Sequence, residues 1–211
     1  MAVAASGFLL SSRQRIDAAL ATDALRANTR YVEEVVIGWD LCPWAARAWR
    51  AGQVCRRVML DAAPEIAPVL ALIDELGASP GLAIGLAIFP RAPITDAAFG
   101  AFAERVRRAD HARRPPDARA PYLLAAFHPD SGAGADLRNA AQLVSYIRRT
   151  PDPTLQLVRA SLIDELTRDG RDLSVDNAAD NLAKVGLRDA SALGALLDDI
   201  RRDRDAAYTR L

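Results

Sequence analysis

The feature that most constrains the fold is a run of apolar residues from Gly81 to Phe89, GLAIGLAIF. This run is far too short to cross a bilayer, because a membrane-spanning helix needs about 20 residues. A short segment of nearly continuous apolar character is instead typical of a strand that is buried on both faces. Residues 82–89 therefore predict a buried strand in a sheet that is covered by helices.

Segments with strand and helix character alternate on both sides of this run. Residues 54–60 and 122–127 also predict strands. Apolar residues at helical spacing predict helices at residues 13–38, 65–76, 96–109 and 137–146. Within the first of these helices, Asn28 and Thr29 are expected to cap a second helical segment.

The C-terminal third of the chain begins with two prolines at alternate positions. Pro151 and Pro153 predict an extended, rigid linker over residues 148–153, because proline cannot continue a helix. Residues 154–167 then return to helical spacing. The tail beyond Gly170 predicts two amphipathic helices.

These elements predict an α/β fold, with a small sheet of about three or more strands covered by helices. The chain has 211 residues, which corresponds to one domain at the usual ~100–200 residues per domain. We place an α/β domain at residues 1–169 and a C-terminal helical extension, packed on that domain, at residues 170–211. The order of the strands stays open at this point.

The charge balance argues against nucleic-acid partners. The chain has 27 basic and 27 acidic residues, so it lacks the positive surface of a protein that binds a phosphate backbone.

No apolar segment is long enough for a membrane span, and the N-terminus lacks the charge order of a secretory signal. We therefore expect a cytoplasmic protein that binds neither nucleic acid nor membrane, with Cys42 and Cys55 as reduced thiols.

Three short segments carry most of the polar motif residues. They read YVEEVVIGWDLCPWA at residues 31–45, AFHPD at residues 126–130 and SYIRRTPDPTLQLVRA at residues 145–160. In this order they resemble the segments WLE..VIGLNLCPFA, FHPDY and NRSPYP.LHLLRE of a family of uncharacterised bacterial proteins, a domain of unknown function. The resemblance covers approximately residues 28–165 and implies no known activity.

The resemblance separates retained positions from changed ones. Gln156 stands where the family has a histidine, Ser131 and Asp152 stand where it has tyrosines, and Ala160 stands where it has a glutamate. The retained positions are Glu33, Cys42, Pro43, His128, Pro129, Asp130, Arg149, Pro151, Pro153 and Arg159. We expect a functional site to be built from the retained residues.

Cys42 and His128 are the candidates for a reacting centre. A cysteine becomes a nucleophile when a base or a helix terminus lowers its thiol pKa from about 8.5, and His128 is the plausible partner imidazole. Asp130 is expected to orient that imidazole. The structural alternative is that Cys42 is a small buried hydrophobic residue and that His128 stabilises the strand end through hydrogen bonds to its loop.

The candidates for substrate binding are arginines and residues near the cysteine. Arg149 and Arg159 carry planar guanidinium groups that can each hold a carboxylate or phosphate through two hydrogen bonds, which predicts an anionic small-molecule ligand. Glu33 is assigned to the same site, and Trp44 can line a pocket for a flat ligand with the other two tryptophans. Arg148 is expected at the surface.

The leading hypothesis is a small-molecule enzyme of unknown reaction, with a centre of Cys42 and His128 and arginines that bind an anionic substrate group. No common cofactor or hydrolase motif names the reaction. One alternative is a haem- or metal-binding protein that uses the same cysteine and histidine as ligands. Others are a non-catalytic binding protein that dimerises through its C-terminal helices, and a degenerate homologue that binds but no longer reacts.

Overall fold

A computed structural model gives the backbone of residues 11–42, 44–167 and 173–211, and their side chains except at residues 165–177 and 187. Pro43 therefore lies outside the described residues, and so does the predicted domain boundary between residues 169 and 170. Residues 1–10, which include most of the N-terminal apolar patch, also lie outside them.

Four strands and eight α-helices alternate along the described chain, and a π-helix at Tyr31–Ile37 follows the first α-helix. The strands are β1 (Val54–Val58), β2 (Ile84–Ile88), β3 (Tyr122–Phe127) and β4 (Thr154–Arg159). The α-helices are α1 (Ser12–Arg30), α2 (Ala45–Arg50), α3 (Ile66–Ala78), α4 (Asp96–Ala112), α5 (Ala140–Ile147), α6 (Ala160–Thr167), α7 (Leu173–Arg188) and α8 (Ala190–Tyr208). None of these helices has the length and apolar character needed to cross a membrane.

The strands form one mixed sheet in the order β1-β2-β4-β3. β1 and β2 are parallel and are joined through α3, whereas β4 is antiparallel to both of its neighbours. The register places Thr154 opposite Ile88 and Gln156 opposite Leu86. The predicted α/β fold, with a small sheet covered by helices, is confirmed.

One face of the sheet carries the main hydrophobic core. α3 and α4 cover this face, and their apolar side chains pack on Leu155 and Leu157 of β4. Phe89, Phe99 and Phe102 contact one another there, with ring centroids between 5.6 and 5.9 Å apart. Because all three rings are almost completely buried, this side of the sheet is a densely packed layer.

The opposite face is covered by helices from both ends of the chain. Side chains of β2 pack against α1, α8 packs along α1 and the π-helix, and α7 contacts α5. The buried apolar side chains described for α7 and α8 pack within their own chain, and they include Val185, Leu193, Leu197 and Ile200. The apolar stripes of the C-terminal helices are therefore used inside the molecule, and dimerisation through these helices stays a prediction.

The segment after the double proline differs from the expectation. Residues 154–167 were expected to form one helix, but residues 154–159 form β4 and α6 begins only at Ala160. The expectation is wrong because Leu155, Val158 and Leu162 stand at three- and four-residue steps that imitate a helix. Buried Leu155 and Leu157 alternate with the cavity-facing Gln156, which is the two-residue period of a strand.

The N-terminal helix is more continuous than expected. α1 runs through Asn28 and Thr29 without a break, so the expectation that these residues cap a second helical segment is wrong. The helix then widens into the π-helix, which ends at Gly38 as expected, with the Gly38 N–H donating to the carbonyl of Glu33. π-Helical turns are rare and often lie at functional sites.

Candidate functional site

A cavity of about 360 Å³ lies on the sheet face opposite the main core. We call it the sheet cavity. Its floor consists of Val54, Ile84, Leu86, Phe127, Thr154, Gln156 and Val158. Its walls come from α1, the π-helix, α2, α5, α6 and α7. The volume falls in the range of roughly 300–1,000 Å³ that is typical of small-molecule sites.

The side chains of the cavity floor form rows that run across the strands, and each row consists of residues that are register neighbours. Thr154, Gln156 and Val158 of β4 face the cavity, because alternate side chains of a strand point to the same face of the sheet. Phe127 of β3 is the register neighbour of Thr154. Successive rows are two residues apart, which corresponds to about 6.6 Å along the strand. The row of Val158 is apolar across β1, β2 and β4, so this end of the floor is apolar.

A guanidinium group without an acidic partner lies in the cavity wall. Arg148 lines the cavity, and its guanidinium carbon lies 5.6 Å from the centroid of the Phe127 ring. Among the described residues, no carboxylate and no hydrogen-bond acceptor pairs with this side chain. The expectation that Arg148 is a surface residue is wrong, because the side chain is half-buried. Charges that leave water are normally paired, so this guanidinium is suited to an anionic ligand.

Two amide side chains also face the sheet cavity without a hydrogen-bond partner. Asn28, in the last turn of α1, is 2% exposed, and its buried Oδ1 accepts no hydrogen bond from the described residues. The side chain of Gln156, at the middle of the floor, has no hydrogen-bond partner among those residues either. An unpaired buried polar group costs roughly 1–3 kcal/mol, a cost that a ligand with a matching polar group removes.

Cys42 lines the same cavity, in the turn between the π-helix and α2. Burial raises the pKa of the Cys42 thiol, and the backbone N–H groups of Trp44 and Ala45 offset part of that effect. The thiol is therefore protonated near neutral pH and is not the thiolate that acts as a nucleophile. None of the described residues that line the cavity is a histidine.

Tyr31 lies near both Cys42 and Arg148. Its hydroxyl group donates a hydrogen bond of 2.6 Å to the carbonyl oxygen of Ile147. Burial raises the pKa of Tyr31, whereas the positive charge of Arg148 acts to lower it and the charge of an ionised Cys42 acts to raise it. All three residues line the sheet cavity, and both Cys42 and Arg148 are close enough to the Tyr31 hydroxyl to act on its pKa.

Two of the three tryptophans form part of the cavity wall. Trp44 and Trp49 line the sheet cavity, whereas Trp39 lies under the guanidinium group of Arg188. Glu33 is exposed and accepts a hydrogen bond of 2.9 Å from Nε1 of Trp49. Glu33 therefore holds a wall residue in position and does not itself line the cavity.

The structure does not bring His128 to Cys42. His128 and Asp130 lie in a second cleft of about 410 Å³, which shares no lining residue with the sheet cavity. Nδ1 of His128 accepts a hydrogen bond of 3.1 Å from the Asp130 N–H, which leaves Nε2 to donate to the carbonyl oxygen of Ile94 at 2.8 Å. The carboxylate of Asp130 forms an ion pair with Arg201. The predicted catalytic residues thus occupy two places in the fold.

The two candidate arginines are also far apart. Arg149 pairs with Asp198 of α8, with 2.9 Å between Nη2 and Oδ1. Arg159, the last residue of β4, donates hydrogen bonds to the carbonyl oxygens of Leu76, Ser79 and Leu82 at the end of α3. The strand between the two arginines separates them by roughly 15–20 Å. They do not form one clamp, and each already has partners in its own neighbourhood.

The described residues contain no group of three or more His, Cys, Asp or Glu side chains that could hold a metal ion. Of the two proposed haem ligands, Cys42 lines the sheet cavity, whereas both ring nitrogens of His128 are engaged within the second cleft. The structure therefore does not bring the two proposed ligands to one site.

Sequence reasoning found part of this cavity and missed part of it. Cys42 and Trp44 were assigned to the site and do line the same cavity. Arg148 and Asn28 were missed. Arg148 stands beside another arginine in a loop and Asn28 stands near the end of a helix, and nothing in the neighbouring sequence indicates where either side chain points. Gln156 was noted as a departure from the resembled family, and that difference was a usable signal.

Comparison with known proteins gives one match. A family model matches residues 23–185, a range that contains every residue named above as lining the sheet cavity and that continues beyond the three motif segments through most of α7. No curated protein and no solved structure matches the chain. The chain therefore belongs to the family described as protein of unknown function, DUF1415.

Proposed function

We propose that the sheet cavity binds a small organic acid with an apolar body. The observation that carries this proposal is the guanidinium of Arg148, which lies in the wall of a largely apolar cavity without a carboxylate partner among the described residues. A carboxylate held there would form charge-assisted hydrogen bonds, which are about twice as strong as neutral ones. The apolar remainder of the ligand would cover the side chains of the Val158 row.

The size of the cavity sets the size of the ligand. A volume of about 360 Å³ lies near the lower end of the range of roughly 300–1,000 Å³ that is typical of small-molecule sites. The cavity therefore favours a small ligand. Decanoate and 4-phenylbutanoate are acids of this size, one with an aliphatic body and one with an aromatic body, and they are suitable first probes.

The geometry supports binding better than nucleophilic catalysis at Cys42. A thiol whose pKa is raised by burial needs a base that removes its proton. His128 lies in the second cleft, and Gln156 cannot serve as a base. If binding is the function, the thiol is not required, and Cys42→Ser, which is close to cysteine in size, will still bind decanoate. Enzymatic turnover that disappears in Cys42→Ala while the fold is retained would instead establish the enzymatic hypothesis.

The proposal is tested by calorimetric titration with decanoate and with decan-1-ol, which has the same chain but no charge. We expect the protein to bind decanoate more tightly, and we expect Arg148→Met to weaken decanoate binding by about tenfold or more, since hydrogen bonds to charged groups contribute ~1.5–3 kcal/mol. Arg138→Met is the matched control, because Arg138 lies on the surface and pairs with Asp136 alone. If no acid of this size binds, or if Arg148→Met changes nothing, the proposal is wrong.

An absorption spectrum of the purified protein separates this proposal from the haem alternative. A haem protein shows an intense band near the blue end of the visible range, whereas a protein that binds a colourless acid shows aromatic absorption alone. A haem band that disappears in Cys42→Ala would favour the haem alternative over acid binding in this cavity.

A further inference from the structure

We propose that the ligand of the sheet cavity carries a hydroxyl group on its apolar body, in addition to its acid group. This inference rests on the proposed function and names the class of acid as a hydroxy acid. It comes from observations that the acid proposal does not use, namely the two amide side chains of Asn28 and Gln156.

The Asn28 amide is the first of these observations. Asn28 is 2% exposed, and no described residue donates a hydrogen bond to its buried Oδ1 atom. Asn28 lines the sheet cavity, and its Nδ2, which has no hydrogen-bond partner among the described residues and is not fully buried, is the amide atom that a group inside the cavity can reach. A hydroxyl group both donates and accepts hydrogen bonds, and it therefore matches an amide in either of its two orientations.

The position of Gln156 is the second observation. Arg148 overlies Phe127, which is the register neighbour of Thr154, and Gln156 lies one row further along the floor. This row is about 6.6 Å from the first. A ligand whose carboxylate is held by Arg148 and whose body extends towards Val158 must pass the unpaired Gln156 amide.

The combination of apolar walls and unpaired amides creates selectivity. A plain hydrocarbon acid would bury the amides of Asn28 and Gln156 against methylene groups and would leave them without partners. A site built to hydrogen-bond a hydroxyl group rejects the analogue that lacks it, because the polar groups of the site then stay unpaired. The amides are therefore specificity-determining residues, and Arg148 provides the charge recognition that all acids share.

The experiment is a calorimetric comparison of decanoate with its 3-hydroxy, 6-hydroxy and 10-hydroxy derivatives. We expect one hydroxylated isomer to bind the wild-type protein at least about tenfold more tightly than decanoate does, a difference of about 1.4 kcal/mol. Asn28→Leu or Gln156→Leu is expected to abolish this preference while decanoate binding is kept or improved, since leucine offers the hydrocarbon chain an apolar surface. Thermal unfolding of each variant shows whether it is folded, and the two variants test the preference independently.

The outcomes separate this inference from the proposed function. If decanoate binds but no hydroxylated isomer binds more tightly, or if the preference survives both substitutions, the hydroxyl inference is overturned and acid binding stands. If none of the four acids binds, both proposals fail. A hydroxylated isomer that binds where decanoate does not supports both of them.

Discussion

At the scale of single residues, the imidazole of His128 holds two loops together. Its Nδ1 accepts from the N–H of Asp130, and its Nε2 donates to the carbonyl oxygen of Ile94 in the loop before α4. The side chain is 3% exposed, and its ring lies 6.3 Å from the ring of Phe99 in the main core. These contacts match the structural alternative considered for His128, in which the residue stabilises the end of a strand.

We predict that His128→Ala destabilises the protein by roughly 1–3 kcal/mol, because two part-buried backbone groups lose their hydrogen-bond partner. The affinity of the sheet cavity for decanoate should change less than twofold in this variant. Urea unfolding and calorimetric titration measure the two effects. If binding is lost and stability is kept, the result contradicts the structural role and gives His128 a functional one.

The residues of the cavity show what a sequence can and cannot reveal at this scale. Cys42 and Trp44 could be assigned from their motif, and both line the cavity. Arg148 and Arg149 are neighbours of the same type, yet Arg148 faces the cavity and Arg149 pairs with α8. The direction of each depends on how the double-proline segment leads into β4, which is a property of the folded chain.

At the scale of secondary structure, β4 decides where the site lies. Three strands, β1 to β3, could be predicted within two or three residues at each end, because their apolar runs are bounded by turns. β4 was expected to be helical, and its strand conformation is fixed by hydrogen bonding to β2 on one side and β3 on the other. Local spacing does not contain that information, so the floor of the cavity could not be predicted.

The contact between α1 and α8 provides a prediction of pH dependence. Hydrogen bonding from Arg26, at 2.5 Å, lowers the pKa of Asp203 below its usual range. A lowered folded-state pKa gives stability that is present above the ordinary carboxyl value of about 3.9 and is lost as the pH falls through the folded value. We predict that Arg26→Met costs roughly 0.5 kcal/mol at pH 7, since both side chains are more than a third exposed.

The cost of Arg26→Met should shrink as the pH falls below about 4, and it should also shrink in high salt. Urea unfolding of the wild type and the variant at pH 7 and pH 3 measures both trends. A difference in unfolding free energy that is the same at the two pH values would contradict the pairing of Arg26 with Asp203.

The buried apolar side chains of α8 provide a second prediction at the scale of secondary structure. Leu193 is 0% exposed and packs with Leu143 and Val185 of the same chain. Leu193→Ala should therefore destabilise the protein by about 2–5 kcal/mol, as measured by urea unfolding. If the substitution instead changed the oligomeric state in light scattering and left stability unchanged, the stripe would face a second copy of the chain, as the dimer hypothesis requires.

At the scale of the whole molecule, the two sides of the sheet are built differently. The side covered by α3 and α4 is a dense layer around three phenylalanines, whereas the other side encloses the sheet cavity. The alternation of strands and helices was sufficient to predict an α/β fold. It did not predict the strand order, because β4 inserts between β2 and β3 only when the whole chain has folded.

The cavity on one side of the sheet has a mechanical consequence. Void volume is eliminated when a protein unfolds, so hydrostatic pressure favours the unfolded state, within the typical range of about −20 to −100 mL/mol for the unfolding volume. Under pressure, the helices above the sheet cavity should loosen before the layer of α3 and α4 does, and high-pressure NMR measures this residue by residue. A bound ligand should remove the difference in pressure response between the two sides of the sheet. The compressibility of the molecule therefore shows whether a ligand fills the cavity.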